Sequence, residues 1–144
     1  MKRILLFFAL TLSSTMFAQD VEIRKTIERF FNGLHTSDTL KIKSTFAKEM
    51  VLHSIAEKRD GGTLSVESVP EFLKSVASLP KGVKIEERLF SWKILHDGSM
   101  AHVWTPYEFY VNGKLSHSGV NSFSLFKTGS GWKIIYCVDT RKRP

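Results

Sequence analysis

Apolar residues recur at three- and four-residue steps near the start of the chain. A helix would carry them on one side, because an α-helix completes a turn in 3.6 residues. Asp20 precedes the first of them and suits the N-cap. The pattern therefore predicts an amphipathic helix, and its apolar side carries Ile23, Ile27, Phe30, Phe31 and Leu34.

Two more helices and a small hairpin are predicted in the first half of the chain. Ser37 or Asp38 can cap a short second helix, and residues 50–55 form a strand. An Asp-Gly-Gly turn and a second short strand follow. The third helix spans residues 69–76 with Pro70 in its first turn, where proline is favoured. Everything beyond it is predicted to be sheet.

Two tight turns set the register of the predicted sheet. Asn112-Gly113 is typical of a type I′ hairpin, and residues 97 and 98 repeat the pattern as Asp-Gly. A two-residue loop at Asn112-Gly113 pairs Val111 with Lys114. Without a bulge, this register fixes the partner of every residue along the two strands that the turn joins.

The resulting inward face mixes apolar and polar side chains. His117 lies opposite Glu108, and Asn121 opposite Trp104. A third turn pairs Thr128 with Gly131, although a bulge there would shift the last strand. The predicted face carries Met100, His102, Trp104, Glu108, Tyr110, His117, Asn121, Phe123, Leu125, Ile134, Tyr136 and Val138.

The opposite face of the predicted sheet carries four serines together with apolar residues. Tyr107 and Phe109 are among these apolar residues. A half-apolar outer face indicates a homodimer through the back of the sheet. Cys137, interpreted as a packed thiol, and Asp139 also lie on this face, unless a bulge turns Asp139 inward toward His117.

The first 19 residues have the pattern of a secretory signal peptide. Lys2 and Arg3 form the charged start, an apolar run follows, and small residues lead to a cleavage site near Ala18. An uncleaved membrane anchor is the alternative. We predict a periplasmic or secreted protein, without membrane attachment after cleavage, whose residues 20–144 form a single domain. Cys137 is the only cysteine, so no internal disulfide can form.

Charge and histidine placement narrow the classes of function. The chain has 21 Lys and Arg against 14 Asp and Glu, but most are interspersed, so nucleic-acid binding is not expected. His102 is interpreted as a core residue, and His35 and His96 as surface residues. The histidines lack metal-ligand spacing, so we predict no metal site and no other cofactor.

Several segments resemble the nuclear transport factor 2-like superfamily. They are LHTSDTLKIKSTFAKEMVLHS, GWKIIYCVDTR, and VWTPYEFY followed by SHSGVN, which is similar to a bacterial branch with exported or cytosolic members. The resemblance covers essentially residues 20–140. It implies an α+β fold in which N-terminal helices pack on a strongly curved antiparallel sheet, giving a cone with a pocket at its wide end. It implies no single activity, because the superfamily includes isomerases, dehydratases, polyketide cyclases and proteins without catalysis.

The resemblance transfers little of the steroid-isomerase site. The position of the family's tyrosine is Phe30, that of its base is Ser54, and that of its sheet acid is Asn121. Phenylalanine cannot donate a hydrogen bond and serine is a poor unassisted base, so that chemistry as such is not expected. His53 takes the base position after a one-residue slip, and His53 with His117 could imitate the histidine pair of the dehydratases.

The predicted constellation suits an acid or base reaction on a small molecule. Glu108 orients the His117 imidazole, and the Asn121 amide donates to a carbonyl or enolate oxygen. A cross-strand Glu-His pair at the surface is the simpler alternative. Flat walls and apolar contacts for the ligand would come from Trp104, Tyr110, Phe30, Leu34, Ser54, Phe123, Tyr136 and Val138.

Three functions remain open at this point. The first is an exported pocket protein that binds a largely apolar, ring-containing ligand. The second is a cofactor-independent isomerase or lyase, of the dehydratase or cyclase type, with His117 or His53 as base. The third is a dimerisation or interaction module without catalysis, whose cone is filled by side chains.

Overall fold

The fold consists of helices at the N-terminus and a sheet that follows them. A computed structural model describes residues 2–144, with side chains from residue 17 onward. In chain order the elements are α1 (Lys2–His35), α2 (Thr39–Thr45), β1 (Phe46–Lys58), β2 (Gly61–Glu67), α3 (Val69–Ala77), β3 (Ile85–Leu89), β4 (Lys93–Asp97), β5 (Met100–Val111), β6 (Lys114–Thr128) and β7 (Gly131–Arg141).

Local capping explains where the two short helices begin. Asp38, one of the two predicted caps of α2, accepts a hydrogen bond from the Lys41 backbone N–H at 2.9 Å. α3 begins at a capping box in which Ser68 and Glu71 satisfy each other's backbone N–H groups. Pro70 follows the cap as predicted.

The first helix extends further than predicted. α1 is continuous from Lys2, so Asp20 lies inside the helix and its prediction as N-cap was wrong. The side chains of the predicted signal peptide before residue 17 lie outside the described part. Within the part of the chain that the structure describes, no helix combines the length and the apolar composition needed to cross a membrane.

Seven strands form one open, mixed sheet in the order β2-β1-β7-β6-β5-β3, and β4 also pairs with β5. The sequence predicted an antiparallel sheet, but β1 runs parallel to β7. The remaining neighbours are antiparallel. This parallel pair places the start of the sheet beside its last strand.

A bulge in β6 shifts the predicted pairing of β5 and β6. Val111 pairs with Lys114, as the tight turn predicted, but beyond the bulge Phe109 pairs with His117. Ser116 is the extra residue, because Tyr110 still pairs with Leu115. An inserted residue moves every later partner by one position. The predicted pairs Glu108 with His117 and Trp104 with Asn121 were therefore wrong.

A second bulge, in β7, reverses the facing of the last strand. Leu125 pairs with Ile134, but Phe123 pairs with Cys137 and Asn121 with Asp139. Cys137, predicted on the outer face, thus lies on the inward face. Asp139 also faces inward, as predicted for the case in which the last strand contains a bulge. Tyr107 and Phe109, also predicted outside, share the inward face because of the shift in β6.

The apolar side of α1 packs on this inward face. All five of its predicted core residues are buried, including Ile23 and Ile27, which are fully inaccessible. The rings of Phe30 and Phe31 each contact Phe123 edge-on, with centroids 6.0 Å apart. Phe123 is thereby enclosed beneath the helix and does not line the cavity between the helices and the sheet, contrary to its prediction as a ligand contact.

Two histidines lie elsewhere than predicted. His96 is not a surface residue, because its side chain is only 9% exposed and its Nε2 lies 3.4 Å from Asp20 Oδ1. His102 pairs with Ser124 on the outer face, so its interpretation as a core histidine was wrong. Its facing follows from the same register shift that moved Trp104 outward.

Candidate functional site

A cavity of about 420 Å³ lies between α1, α3 and the inward face of the sheet, and it is partly open to solvent. The helices contribute an apolar wall, whereas the sheet contributes nearly all of the polar side chains. The apolar wall includes Phe30, Phe31, Leu34, Phe72, Val76 and Leu79. The polar wall contains Ser54, Glu67, Glu87, Tyr107, His117, Asn121, Asp139 and Arg141.

Asp139 is the centre of a hydrogen-bond network in the polar wall. It is 8% exposed and accepts from Tyr107 Oη at 2.9 Å, from Ser54 Oγ at 2.5 Å and from Arg141 Nε at 2.7 Å. An ionised aspartate accepts hydrogen bonds only, which suits three donors. Burial, followed by the charge of Asp139, raises the pKa of Tyr107, so its hydroxyl keeps its proton.

Glu87 is the carboxyl group of the site that can act as a proton donor near neutral pH. Burial raises its pKa to about 8, against the hydrogen bond that Asn121 Nδ2 donates to Glu87 Oε1 at 2.6 Å. The Glu87 backbone N–H donates to His35 Nε2 at 2.8 Å, which ties this strand to the end of α1. At neutral pH Glu87 is therefore mostly a neutral carboxylic acid that can donate a hydrogen bond.

His117 lies in the same wall, and its hydrogen-bond partner there is a hydroxyl group instead of the predicted carboxylate. Its ring stacks on Phe109 with centroids 4.9 Å apart, and its Nδ1 lies 3.2 Å from Ser116 Oγ. Burial, with a smaller contribution from Arg141, lowers the pKa of His117. A neutral imidazole can accept a proton, so His117 keeps the capacity of a base without the predicted Glu108.

Six of the predicted site residues line this cavity. They are Phe30, Leu34, His53, Ser54, His117 and Asn121. His53, however, uses its Nδ1 in a 2.9 Å hydrogen bond with the hydroxyl of Tyr136. Because Tyr136 alternates with the inward-facing Cys137, this bond turns the imidazole of His53 toward the outer face.

The other predicted contacts do not reach the cavity. Glu108 accepts a 2.6 Å hydrogen bond from Tyr110 Oη, and the two occupy the outer face together. Trp104 shares that face and is 46% exposed. Tyr136 and Val138 alternate with Cys137 and Asp139 in the strand beyond the second bulge. Because of the two bulges, the residues that line the cavity in β5 and β7 are the sequence neighbours of the predicted ones.

Sequence reasoning missed five polar members of the site: Glu67, Glu87, Tyr107, Asp139 and Arg141. Glu87 had a detectable signal, because it shares one side of β3 with the apolar Ile85 and Leu89, and this side faces inward. Tyr107 had none, since its facing depends on the bulge at Ser116. Asp139 and Arg141 share a face of β7 and turn inward together.

Replacing Glu87 with glutamine is expected to flatten the pH dependence of stability. A carboxyl whose pKa rises from 4.5 to about 8 on folding stabilises the protein fully below pH 4.5, and that contribution is lost as pH rises toward 8. The slope for one group is at most about 1.4 kcal/mol per pH unit. Urea unfolding from pH 4.5 to 9 would measure the difference between wild type and Glu87→Gln.

Glu86 supplies the matched control for this prediction. It is exposed on the same strand, and its hydrogen bond with Arg88 lowers its pKa, so Glu86→Gln should not remove the loss of stability toward pH 8. His35 and His117, whose pKa values burial lowers, act in the opposite direction near pH 6.5 in all variants. Parallel curves for wild type and Glu87→Gln would refute the assignment.

Neither a cluster of metal-ligating side chains nor a reactive thiol is found among the described residues of the site. Among the residues that the structure describes, no three His, Cys, Asp or Glu side chains are grouped so that they could hold a metal ion. Burial raises the pKa of Cys137, the thiol in the cavity wall, well above its ordinary value. A protonated, buried thiol is a poor nucleophile, which agrees with its interpretation as a packing residue.

Comparison with known proteins identifies the fold. No protein-family model and no curated protein sequence matches the chain. Solved structures do match. A nuclear transport factor 2-like protein with a cystatin-like fold from Novosphingobium aromaticivorans is 13% identical, with a TM-score of 0.70, and the match covers 92% of this chain and 87% of that one.

Two other matches carry functional names. A candidate dehydratase of the same family from Streptomyces avermitilis is 16% identical over 85% of this chain and 95% of its own, with a TM-score of 0.64. A candidate aromatic ring hydroxylase from Novosphingobium aromaticivorans is 15% identical over 89% and 92%, with a TM-score of 0.70. At these identities the likeness concerns the fold. The chain thus has the nuclear transport factor 2-like fold, with N-terminal helices packed on an open, mixed sheet.

Proposed function

We propose that the protein binds a small, largely apolar, ring-containing molecule in the cavity between the helices and the sheet. The observation that carries this proposal is the division of the cavity into an apolar helical wall and a polar sheet wall. Apolar area provides most of the affinity in such pockets, and a few convergent polar groups fix the orientation of the ligand. The phenyl rings of Phe30 and Phe72 suit the faces of a ring.

The polar wall favours an uncharged ligand with a carbonyl or hydroxyl oxygen. Asp139 is already paired with Arg141, and Glu87 is mostly neutral at pH 7. A ligand carboxylate would lie beside the Asp139 charge without a free cation to compensate its burial. A neutral oxygen could instead accept the hydrogen bond that the Glu87 acid donates through Oε2, while Asn121 holds Oε1.

A second candidate function is proton transfer on the bound molecule. Glu87 as a hydrogen-bond donor and His117 as an acceptor provide an acid and a base in one cavity. His117 would take a proton from a carbon next to a carbonyl, and Glu87 would stabilise the developing oxyanion. Similarity to a candidate dehydratase supports this reaction class. His117 is the better base because His53 is bonded to Tyr136.

Ligand binding can be tested on the purified protein by native mass spectrometry, followed by calorimetry with a panel of cyclic ketones and alcohols. We expect one bound molecule per chain and weaker binding by Glu87→Met, whose side chain is similar in length but cannot donate a hydrogen bond to the ligand. Loss of one hydrogen bond corresponds to about a tenfold weaker Kd. Glu86→Met, on the exposed side of β3, is the control. Equal affinity for both variants would place the ligand elsewhere.

Turnover is separable from binding. In D₂O, a base in the cavity would exchange the hydrogens next to the carbonyl of a bound cyclic ketone, and mass spectrometry would detect the added deuterium. We expect His117→Ala to lose exchange by at least about a hundredfold while retaining binding, since general bases contribute about that much. Binding without exchange in the wild type would restrict the protein to the first function.

We further propose that the protein is exported and forms a homodimer through the outer face of its sheet. Met100 and Trp104 are exposed there, with 63% and 46% of their surfaces accessible, and Phe126 adds to the same face. An exposed apolar patch of this kind suits a second copy. Sedimentation of the wild type and of Trp104→Glu tests the dimer.

The mass of the protein recovered from outside the cytoplasm tests cleavage near Ala18.

A further inference from the structure

A second recess lies between α1, the end of α2 and the turn that joins β6 to β7. Its volume is about 610 Å³, and it shares no lining residue with the cavity. Four basic residues line it, together with one acidic residue. We call it the basic groove, and these charged residues are Lys25, Arg29, Lys127, Lys133 and Glu22.

The positive charge of the basic groove is mostly uncompensated. Glu22 Oε2 lies 3.3 Å from Lys127 Nζ, so this carboxylate and this cation form a pair. Among the side chains that the structure describes, no carboxylate lies within ion-pair distance of Lys25, Arg29 or Lys133. Three cations therefore face one recess, and their mutual repulsion would decrease if an anion entered it.

Two of these cations are held in place at the same residue. Arg29 Nε donates to Ser44 Oγ at 2.9 Å, and Lys133 Nζ donates to the Ser44 carbonyl oxygen at 2.5 Å. Each of these contacts uses one donor. A guanidinium has five N–H donors and an ammonium has three, so both groups keep donors for a further acceptor. The contacts thus pre-position two cations from α1 and β7 beside each other.

A buried donor in the same groove lacks an acceptor. Trp132 is 4% exposed, and its indole N–H has no hydrogen-bond partner. Buried polar groups are nearly always bonded, so this unbonded N–H is a donor that a ligand or a water molecule could use. The Lys127 ammonium lies 5.7 Å from the centre of the Trp132 ring, which places the indole beside the charged part of the groove.

We propose that the basic groove binds the phosphate or sulfate group of a small molecule. Arg29 and Lys133 would contact its oxygens from either side of Ser44, and Lys25 would add a third charge. A tetrahedral dianion fits better than a carboxylate because three unpaired cations are available, and Arg is suited to bidentate contacts with such oxygens. The buried Trp132 N–H would gain an acceptor from the anion or from water that the anion holds.

Titration of the purified protein with inorganic phosphate tests this site through the indole N–H groups. The chain has three tryptophans, so an amide correlation spectrum shows three indole signals. We expect the Trp132 signal to move and saturate, while those of Trp92 and Trp104 stay in place. Trp92→Phe and Trp104→Phe assign the signals by elimination. Chloride at equal ionic strength is the control for screening, and an unmoved Trp132 signal would overturn the proposal.

Variants that each remove one positive charge test whether phosphate binds in the basic groove. We expect Arg29→Gln and Lys133→Gln each to weaken phosphate binding by about tenfold, the usual effect of losing a charge-assisted hydrogen bond. Lys25→Gln should weaken it less, and it leaves the structure intact because Lys25 makes no hydrogen bond among the described side chains. Lys114→Gln, on the exposed β5-β6 turn, changes the net charge equally and should have no effect.

The source of the phosphate group can be distinguished in the same assay. Pyrophosphate represents a small phosphorylated molecule, and vesicles of phosphatidylglycerol in neutral phosphatidylcholine represent a lipid headgroup. Tighter binding of pyrophosphate than phosphate, lost in Lys133→Gln, would support a soluble ligand. Binding to vesicles that needs the same residues would assign a headgroup. If Lys114→Gln weakens binding as much as Lys133→Gln, the interaction is diffuse attraction to a basic protein, and the groove is not a site.

Discussion

Replacing Gly119 with alanine is expected to destabilise the protein by about 3 kcal/mol, the upper part of the range for overpacked positions. A Cβ at this position would lie 1.8 Å from the carbonyl oxygen of Thr140 and 2.7 Å from its carbonyl carbon. Both are backbone atoms of β7, so no side-chain rotation can relieve the overlap. Either the two strands separate locally or the register of the sheet changes.

The surroundings of Gly119 resist such a separation. The Tyr107 hydroxyl donates to the Thr140 carbonyl at 2.9 Å, and the Val120 N–H donates to Thr140 Oγ1 at 3.0 Å. Ser118 and Lys142 exchange two backbone hydrogen bonds next to this point. Separation of the strands would therefore break several bonds at once, which is why the expected cost is large.

Urea unfolding with Gly129→Ala as control measures this effect. Gly129 lies in the β6-β7 turn, and a Cβ there would meet nothing within 4 Å. Its replacement should change the free energy of unfolding by less than about 1 kcal/mol. A Gly119→Ala protein as stable as Gly129→Ala would show that β7 does not approach β6 as closely as described.

Replacing Asp139 with alanine is expected to cost about 3 kcal/mol of stability, because three donors lose the buried carboxylate that accepts from them, and Arg141 loses its ion-pair partner. Tyr107 would keep only its bond to Thr140, and Ser54 and Arg141 would each lose an acceptor. Arg141 is partly exposed, and water would compensate part of its loss. The estimate therefore lies at the lower end for broken buried pairs.

Two variants separate the causes of this loss. Ser54→Ala removes a single donor from Asp139 and should cost about 1 kcal/mol. Asp139→Asn preserves the shape but replaces one accepting oxygen by a donor, so it should lie between the two in urea unfolding. If Asp139→Ala is as stable as the wild type, the Asp139 network does not hold the wall of the cavity together.

The sequence predicted the elements of this fold because local signals set them. Apolar spacing identified α1, and the cap at Asp38 and the Asn112-Gly113 turn marked where elements begin and reverse. The parallel pairing of β1 with β7 has no local signal, since the two strands are far apart in the sequence. It depends on how the whole sheet is assembled.

The sequence predicted which side chains face the cavity only where the facing follows from a single strand. The alternation within β6 placed His117 and Asn121 inward, and both line the cavity. Their neighbours had to be inferred by counting across turns, and the bulges at Ser116 and Ile135 each added one residue to the count. Because side chains alternate, one residue is enough to exchange the two faces of a strand.

The two bulges also affect how this chain can be compared with its structural relatives. A gain or loss of one residue at Ser116 would bring Glu108 into the cavity in place of Tyr107 without any substitution. Two proteins of this fold can thus differ in their cavity chemistry through single-residue insertions alone. Beyond such an insertion, a sequence alignment can pair side chains that lie on opposite faces of the sheet. Equivalent cavity residues should therefore be identified by superposition of the structures.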